Sequence, residues 1–283
     1  MRTKPFWRTA KSTLAFVALI LVIGLLAWLY RPLASNPSAE FLAQAAQSYN
    51  AQIIRDQWGV PHIMGERDAD ASYGLAYAHA EDDFETIQEM VAATRGKLAS
   101  YRGKEAAPTD YIVSLMDVWG TVERSYSSSV PDDVKAIANG YAAGLNLYAA
   151  QHPNQTWAGL APFRAEDIIA GFVFKTPFFY GLDKVLLELF GDQRHAEIAL
   201  DPGSTVASWQ ARPNTGAELG SNAIAVNAAR SGQQKTRLLI NSHQPMTGPV
   251  AWYEAHLMSN QGLDISGGLF PGTPVVLHGF NQK

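Results

Sequence analysis

Gly220-Ser221-Asn222-Ala223-Ile224-Ala225-Val226 is the stretch from which the rest of this chain is read. A glycine and a serine open a short alternating apolar run, the pattern of a loop entering a strand. A serine hydroxyl is a weak nucleophile unless a base sits beside it, and a serine at a chain terminus finds that base in its own α-amine. The amine titrates at about 7.7–8.0 when unperturbed, so an appreciable part of it is neutral near pH 7. A cut before Ser221 would create such a terminus. Gly220 suits the upstream side because glycine adopts backbone geometries that side chains forbid. In isolation Gly-Ser-Asn reads as an ordinary turn, since these residues cluster in turns for reasons unconnected with catalysis.

The neighbouring stretches change that reading. Downstream come Asn241-Ser242-His243-Gln244-Pro245, Trp252-Tyr253-Glu254-Ala255-His256-Leu257, Gly262-Leu263-Asp264-Ile265-Ser266-Gly267 and Phe270-Pro271-Gly272-Thr273-Pro274. Upstream stand Arg55-Asp56-Gln57-Trp58-Gly59-Val60-Pro61-His62-Ile63 and Tyr73-Gly74-Leu75-Ala76-Tyr77-Ala78-His79-Ala80-Glu81-Asp82. This order and spacing resembles the penicillin acylase family, the N-terminal-nucleophile hydrolases that include penicillin, cephalosporin and acyl-homoserine lactone acylases. The resemblance covers nearly all the chain beyond residue 50.

The resemblance implies an α+β fold, the four-layer αββα sandwich of those hydrolases with a mostly helical first subunit. It implies that Ser221 is the catalytic nucleophile and that Gly220 and Ser221 form the self-cleavage pair. Asn222 would orient the new terminus, and His243, 22 residues past Ser221, would pack beside the nucleophile and hydrogen-bond the local backbone. The activity implied is an amidohydrolase working on linear amide bonds other than peptide bonds, through an acyl-enzyme. Its substrate would be a small N-acyl amide, either a β-lactam side chain or an acyl-homoserine lactone. Ser-Asn-Ala-Ile-Ala-Val is closer to the lactone acylases, whereas Gln244 departs from the apolar residue those enzymes tend to have. A calcium ion belongs to the family analogy for the full-length protein; most of its ligands would lie beyond Lys283, so no metal or other cofactor is assigned in this fragment.

Composition bounds the alternatives. The 283 residues are 47% apolar with a net charge of −4, which argues for a packed core and gives no reason to expect nucleic acid. Zero cysteines excludes disulfides, thiolate metal sites and a cysteine nucleophile. No Ser-x-x-Lys, Gly-x-Ser-x-Gly or Walker A spacing occurs.

Arg2, Lys4, Arg8 and Lys11 precede an apolar run from Leu14 to Tyr30. That asymmetry predicts a cytoplasmic N-terminus with the rest of the chain crossing the inner membrane. The run is longer than the about 7–15 residues of a signal core and a little short of the roughly 20 that span a bilayer. Because Pro32 spoils the small-residue cleavage pattern, a periplasmic protein held by an uncleaved signal-anchor is expected over a cleaved, secreted one. The organisation expected is thus residues 1–31 as flank and anchor or signal peptide, 32–48 as linker, 49–200 as first subunit, 201–220 as spacer, and 221–283 as the opening of a truncated second subunit.

Within the first subunit, two strands are expected around a turn at Gly59, with Arg55 and Asp56 in structural roles. A helix is expected from Asp68 to about Leu98, capped by Asp68 or Asp70, with Ala71, Leu75, Ala78, Phe84, Ile87 and Val91 inward. His79 with Glu81, Asp82 and Asp83 reads as a solvated face rather than a metal site. A second helix is expected over Pro131–Gln151, striped by Val134, Ile137, Tyr141, Leu145 and Tyr148. The run Ile168–Phe174 leads to Pro177, a physical reason for a helix to break. The resemblance then makes Phe178, Phe179 and Tyr180 candidate walls of an acyl pocket. Strands are expected at Ala223–Val226, Arg237–Ile240, Val250–Leu257 and Pro274–Leu277, and His256 and His278 read as structural.

In the resembling enzymes the oxyanion donors lie beyond the position of Lys283. The expectation is therefore a truncated precursor, inactive or nearly so alone, whose partner is the remainder of its own second subunit. The rival expectation is a membrane-tethered binding protein, or inactive fragment, that keeps the sheet and pocket without the chemistry.

Overall fold

The computed structural model describes residues 6–29, 33–177, 221–232, 234–244, 246–248 and 250–281. The chain divides into two units, Met1–Ser35 and Asn36–Lys283. The first holds helix α1 (Phe6–Leu29), whose described apolar side chains, such as Leu21 and Trp28, are exposed. Among the described residues no helix is long and apolar enough to cross a membrane.

The second unit begins with a short helix, α2 (Ala39–Ala43), and the hairpin β1 (Ala51–Arg55) and β2 (Pro61–Gly65). Asp56 builds the hairpin turn: its Oδ1 accepts from the amides of Trp58 at 2.8 Å and Val60 at 3.0 Å. Arg55 ties the hairpin to the next helix through Asp82 (2.9 Å), Glu81 (3.1 Å) and the Ala78 carbonyl (3.1 Å). Both residues therefore serve structure.

Helix α3 (Asp68–Thr94) is the centre of the unit. Its cap comes from the third helical residue: Asp70 Oδ2 accepts from the backbone amide of Arg67 at 3.0 Å. The helix kinks at Asp83 (φ −155°, ψ 62°), whose carboxylate recaps the second half by accepting from the Thr86 amide at 3.2 Å. Ala71, Leu75, Ala78, Phe84, Ile87 and Val91 are all buried. Glu81 and Asp82 face solvent as expected, but His79 does not: it is 1% exposed. The helical period carries it to the inner face beside Leu75 and Ala78.

Helices α4 (Ala99–Arg102), α5 (Ala107–Leu115) and α6 (Val118–Ser129) follow, then α7 (Asp132–Gln151) and α8 (Ala165–Lys175). On α7, Tyr141, Leu145 and Tyr148 are buried but Val134, in the first turn, is exposed. The inner face is completed by Gly140 and Gly144. A Cβ on Gly140 would lie 2.2 Å from the Ala69 carbonyl oxygen, and one on Gly144 2.3 Å from that of Tyr73, so the two helices touch backbone to backbone.

After Ser221 come β3 (Ser221–Val226), a helical turn α9 (Ala228–Ser231) and β4 (Arg237–Ser242). Then follow β5 (Tyr253–Ser259), β6 (Asp264–Leu269) and β7 (His278–Phe280). Two expected strands shift. Val250 and Ala251 belong to a turn closed by the Ala251 amide on the Gly248 carbonyl at 3.0 Å. Pro274–Leu277 is not a strand: pairing starts only where the Leu277 amide reaches Gly268 at 2.9 Å. Strand β6 was not among the sequence expectations.

Among the described residues the strands form a five-stranded sheet in the order β1-β2-β5-β6-β7 and a separate β3-β4 pair. All neighbours are antiparallel except β2 and β5. That parallel seam joins a strand near the start of the second unit to one that follows Ser221. It places Ile63 opposite Leu257, both buried, and each such side chain contributes about 1.5–3 kcal/mol by leaving water. Helix α3 packs on β1, β2 and β5, and α7 and α8 pack on α3. The architecture is α+β with a mostly helical first part.

Candidate active site

Ser221 is the first residue of β3 and stands opposite Ser242 of β4; Asn222 stands opposite Asn241. Strand pairing thus holds the serine at the end of a two-stranded ribbon, on the rim of a cleft of about 470 Å³. The end of α8 forms one wall with Phe172, Lys175 and Thr176, residues at i, i+3 and i+4 that share a helix face. Trp252, Phe270, His278 and Gln244 also line the cleft. The indole of Trp252 stacks on Phe270, centroids 4.3 Å apart, and meets His278 at 4.0 Å with the rings tilted by 47°. Its N–H donates to the hydroxyl of Ser242. The result is an apolar trough with a few fixed polar groups, the usual form of a small-molecule site.

His243 sits where β4 ends. Its Nε2 lies 3.2 Å from the side-chain amide of Asn241 and 3.5 Å from that of Asn222. An amide NH₂ can only donate, so Nε2 is the acceptor and, in the neutral ring, the proton is on Nδ1. Asn222 and His243 are therefore brought together beside Ser221. The contacts that fix the imidazole include two side chains, beyond the backbone contact the sequence suggested. Gly220, Phe178, Phe179 and Tyr180 lie outside the described residues.

The groups that sequence reasoning missed are Lys175, Trp252 and Phe270, together with His278, read there as structural and found here in the cleft wall. Burial lowers the pKa of His278 from its ordinary value. Lys175 is 7% exposed, and its Nζ donates to the carbonyl of Pro271 at 2.9 Å. Burial lowers its pKa to about 7. A single lysine inside the apolar run Ile168–Phe179 was the available signal. His256 is structural as expected: its Nε2 contacts Asp264 at 2.9 Å and its Nδ1 contacts His62 Nδ1 at 3.0 Å. Those ring centroids are 5.2 Å apart, close to the spacing of two imidazoles facing each other along one N–H···N line. Among the described residues no cluster of three or more His, Cys, Asp or Glu could hold a metal.

Known proteins can be set beside this geometry. The penicillin amidase family matches residues 50–283. The acyl-homoserine lactone acylase PvdQ of Pseudomonas putida is 29% identical over 250 residues, covering 82% of this chain and 32% of that protein. The penicillin acylase 2 proenzyme of a Pseudomonas species is 25% identical over 281 residues, covering 86% of this chain and 36% of that protein. The chain thus spans about a third of the length of these curated relatives. A thermostable penicillin G acylase from Alcaligenes faecalis shares 19% identity over 54% of this chain and 97% of that one, at a TM-score of 0.40, too low for the fold to be argued from it.

Proposed function

The chain belongs to the penicillin amidase family, matched over residues 50–283, and from that premise we propose that Ser221 is the N-terminal nucleophile of a self-processing hydrolase of small N-acyl amides. The observation that carries the reading is the position of Ser221, first in its strand and on the rim of a cleft walled by Trp252, Phe270 and His278. Self-cleavage between Gly220 and Ser221 frees the α-amine, which takes the proton of the Ser221 hydroxyl as that oxygen attacks the substrate carbonyl. An acyl-enzyme forms, the amine product leaves, and water releases the acid. Asn222 and His243 hold the new terminus in place.

The relatives' names favour acyl-homoserine lactones, with β-lactam side chains next. Gln244 in the cleft wall gives the acyl group a polar neighbour and sets the chain length accepted. The four-layer αββα sandwich, a calcium ion and an inner-membrane anchor with the catalytic part in the periplasm belong to the same proposal. So does the partner: Ile224, Leu238, Leu239 and Ile240 of the β3–β4 ribbon are exposed, an apolar surface that the remainder of the second subunit would cover.

The test is the denaturing intact mass of the full-length protein, with amine release from acyl-homoserine lactones of graded chain length and from penicillin. A fragment beginning at Ser221 and hydrolysis of at least one of these amides are expected. A Ser221→Ala protein should stay uncut and inactive; one that matured and hydrolysed amides would overturn the mechanism.

A further inference from the structure

Self-cleavage poses a problem that substrate hydrolysis does not. Before the cut, the nitrogen of Ser221 is an amide whose lone pair is delocalised into the carbonyl, so the base that serves the mature enzyme does not yet exist. Another group must accept the hydroxyl proton. Among the described residues, the titratable side chains at the cleft are Lys175 and His278, with His243 beside it. His243 has Nε2 occupied by two amide donors, which leaves its neutral ring no lone pair to offer. His278 lies against Trp252 at a 47° tilt and turns Nε2 toward Gly268 of β6.

Lys175 differs in each respect. It ends α8, immediately before the segment that leads to Ser221, and it lines the same cleft. It is buried, and among the described residues no carboxylate pairs with it. Its facing groups are the Pro271 carbonyl, the Phe270 ring at 5.7 Å and the imidazole of His79 from α3, which shares its electrostatic field. A buried ammonium without a countercharge is costly, so this site favours the neutral amine, consistent with its pKa near 7. A neutral amine has two N–H groups and one lone pair. Donation to Pro271 fixes the head group and leaves the lone pair free.

We infer that Lys175 is the general base of maturation: it takes the proton from the Ser221 hydroxyl when that oxygen attacks the carbonyl carbon of Gly220. The inference rests on the reading of Ser221 as a self-freed nucleophile. Oγ bonds to the Gly220 carbon; the bond from that carbon to the Ser221 nitrogen then breaks, its electron pair staying on nitrogen, which receives the proton back from Lys175. The product is an ester, with no net change in protons. Water adds to the ester carbon, the bond to Oγ breaks and Oγ takes a proton. Gly220 is left as a carboxylic acid that ionises, and Ser221 has a free hydroxyl and a free amine. From then on the α-amine is the base.

The experiment follows cleavage of the full-length precursor by intact mass, in a time course after synthesis, between pH 5.5 and 9. In the wild type the rate should rise with pH and level off above about 7. Lys175→Met should slow it by about 10²-fold or more. Lys175→Arg keeps charge and length but cannot lose a proton, so it should be slowed as well; a role in packing or charge alone would let Arg restore the rate. In Lys175→Ala, added methylamine should restore cleavage. A pH-independent wild-type rate, a Lys175→Arg precursor that matures normally, or no response to methylamine would each overturn the assignment, and the wild-type profile decides even if a variant fails to fold. Cleavage in Ser221→Ala would sink the underlying reading instead, which keeps the two failures distinguishable.

Discussion

The imidazole of His79 lies flat on the phenol of Tyr253, ring centroids 3.8 Å apart and planes 6° from parallel. The pair joins α3 to β5, 174 residues apart in sequence, and Tyr253 completes it by donating to Asp82 at 2.6 Å. His79 is buried, its Nδ1 has no hydrogen-bond partner among the described residues, and desolvation, with Lys175 nearby, lowers its pKa to about 3. The folded state therefore holds His79 neutral while the unfolded chain protonates it near 6.5. Below that pH the unfolded state binds the extra proton, so stability falls as pH drops from about 6.5 toward 3. Each pH unit in this window costs up to about 1.4 kcal/mol. Urea midpoints at pH 7 and 4.5 should differ clearly in the wild type and much less in His79→Phe; equal losses in both proteins would remove His79 as the cause.

Lys175 has the complementary window. Its folded pKa of about 7 lies below the unfolded value of about 10.4. Between the two the unfolded chain carries the extra proton, so the penalty for burying Lys175 is full below pH 7 and fades as pH rises toward 10. Lys175→Met should raise the melting temperature at pH 6, with the gain shrinking by pH 9. A gain independent of pH would assign the effect to packing alone.

Helices α3 and α7 meet where Gly140 and Gly144 present bare backbone to the carbonyls of Ala69 and Tyr73. There is no flexible side chain to yield. Gly144→Val must separate the helices, and overpacking of this kind costs about 1–3 kcal/mol or more. The checks are a lowered urea midpoint and loss of soluble protein, with Gly171→Ala on α8 as the control, since a Cβ there meets nothing within 4 Å.

These contacts mark what the sequence could and could not reveal. The buried stripe of α3 was legible, as was the strand expected at Ala223–Val226, which the structure extends back to Ser221. Six of the ten buried residues of α7 are glycine or alanine, which a stripe of large apolar residues does not reveal, so the expected stripe runs one turn too far, onto Val134. Strand β6 carries Ser266, Gly267 and Gly268, poor strand formers, yet it needs them. A Cβ on Gly267 would lie 2.2 Å from the His278 carbonyl oxygen, and one on Gly279 2.0 Å from that of Ser266. The apolar run around Lys175 was a signal, but a lone lysine is ordinarily solvated, and it is tertiary packing that buries this one.

Arg95 and Asp167 fix where α8, and hence Lys175, stands. The guanidinium meets the carboxylate in a two-pronged contact, Nε to Oδ1 at 2.7 Å and Nη2 to Oδ2 at 2.6 Å. It also donates to the carbonyls of Leu160 and Pro162. Asp167 Oδ2 further accepts from the Arg164 amide at 2.7 Å, capping α8. The Arg95 side chain is 12% exposed and that of Asp167 is fully buried, so removing either partner strands a charge or its donors in a dry site. Asp167→Ala and Arg95→Met should each cost about 3–5 kcal/mol. The double variant should cost less than the sum, because the second change removes the group that the first left unpaired. Since α8 supplies Phe172, Lys175 and Thr176 to the cleft, any variant that folds should also mature more slowly than the wild type. Additive losses in the cycle would show that the two residues act independently, and normal maturation in a folded Asp167→Ala would show that α8 keeps its place without them.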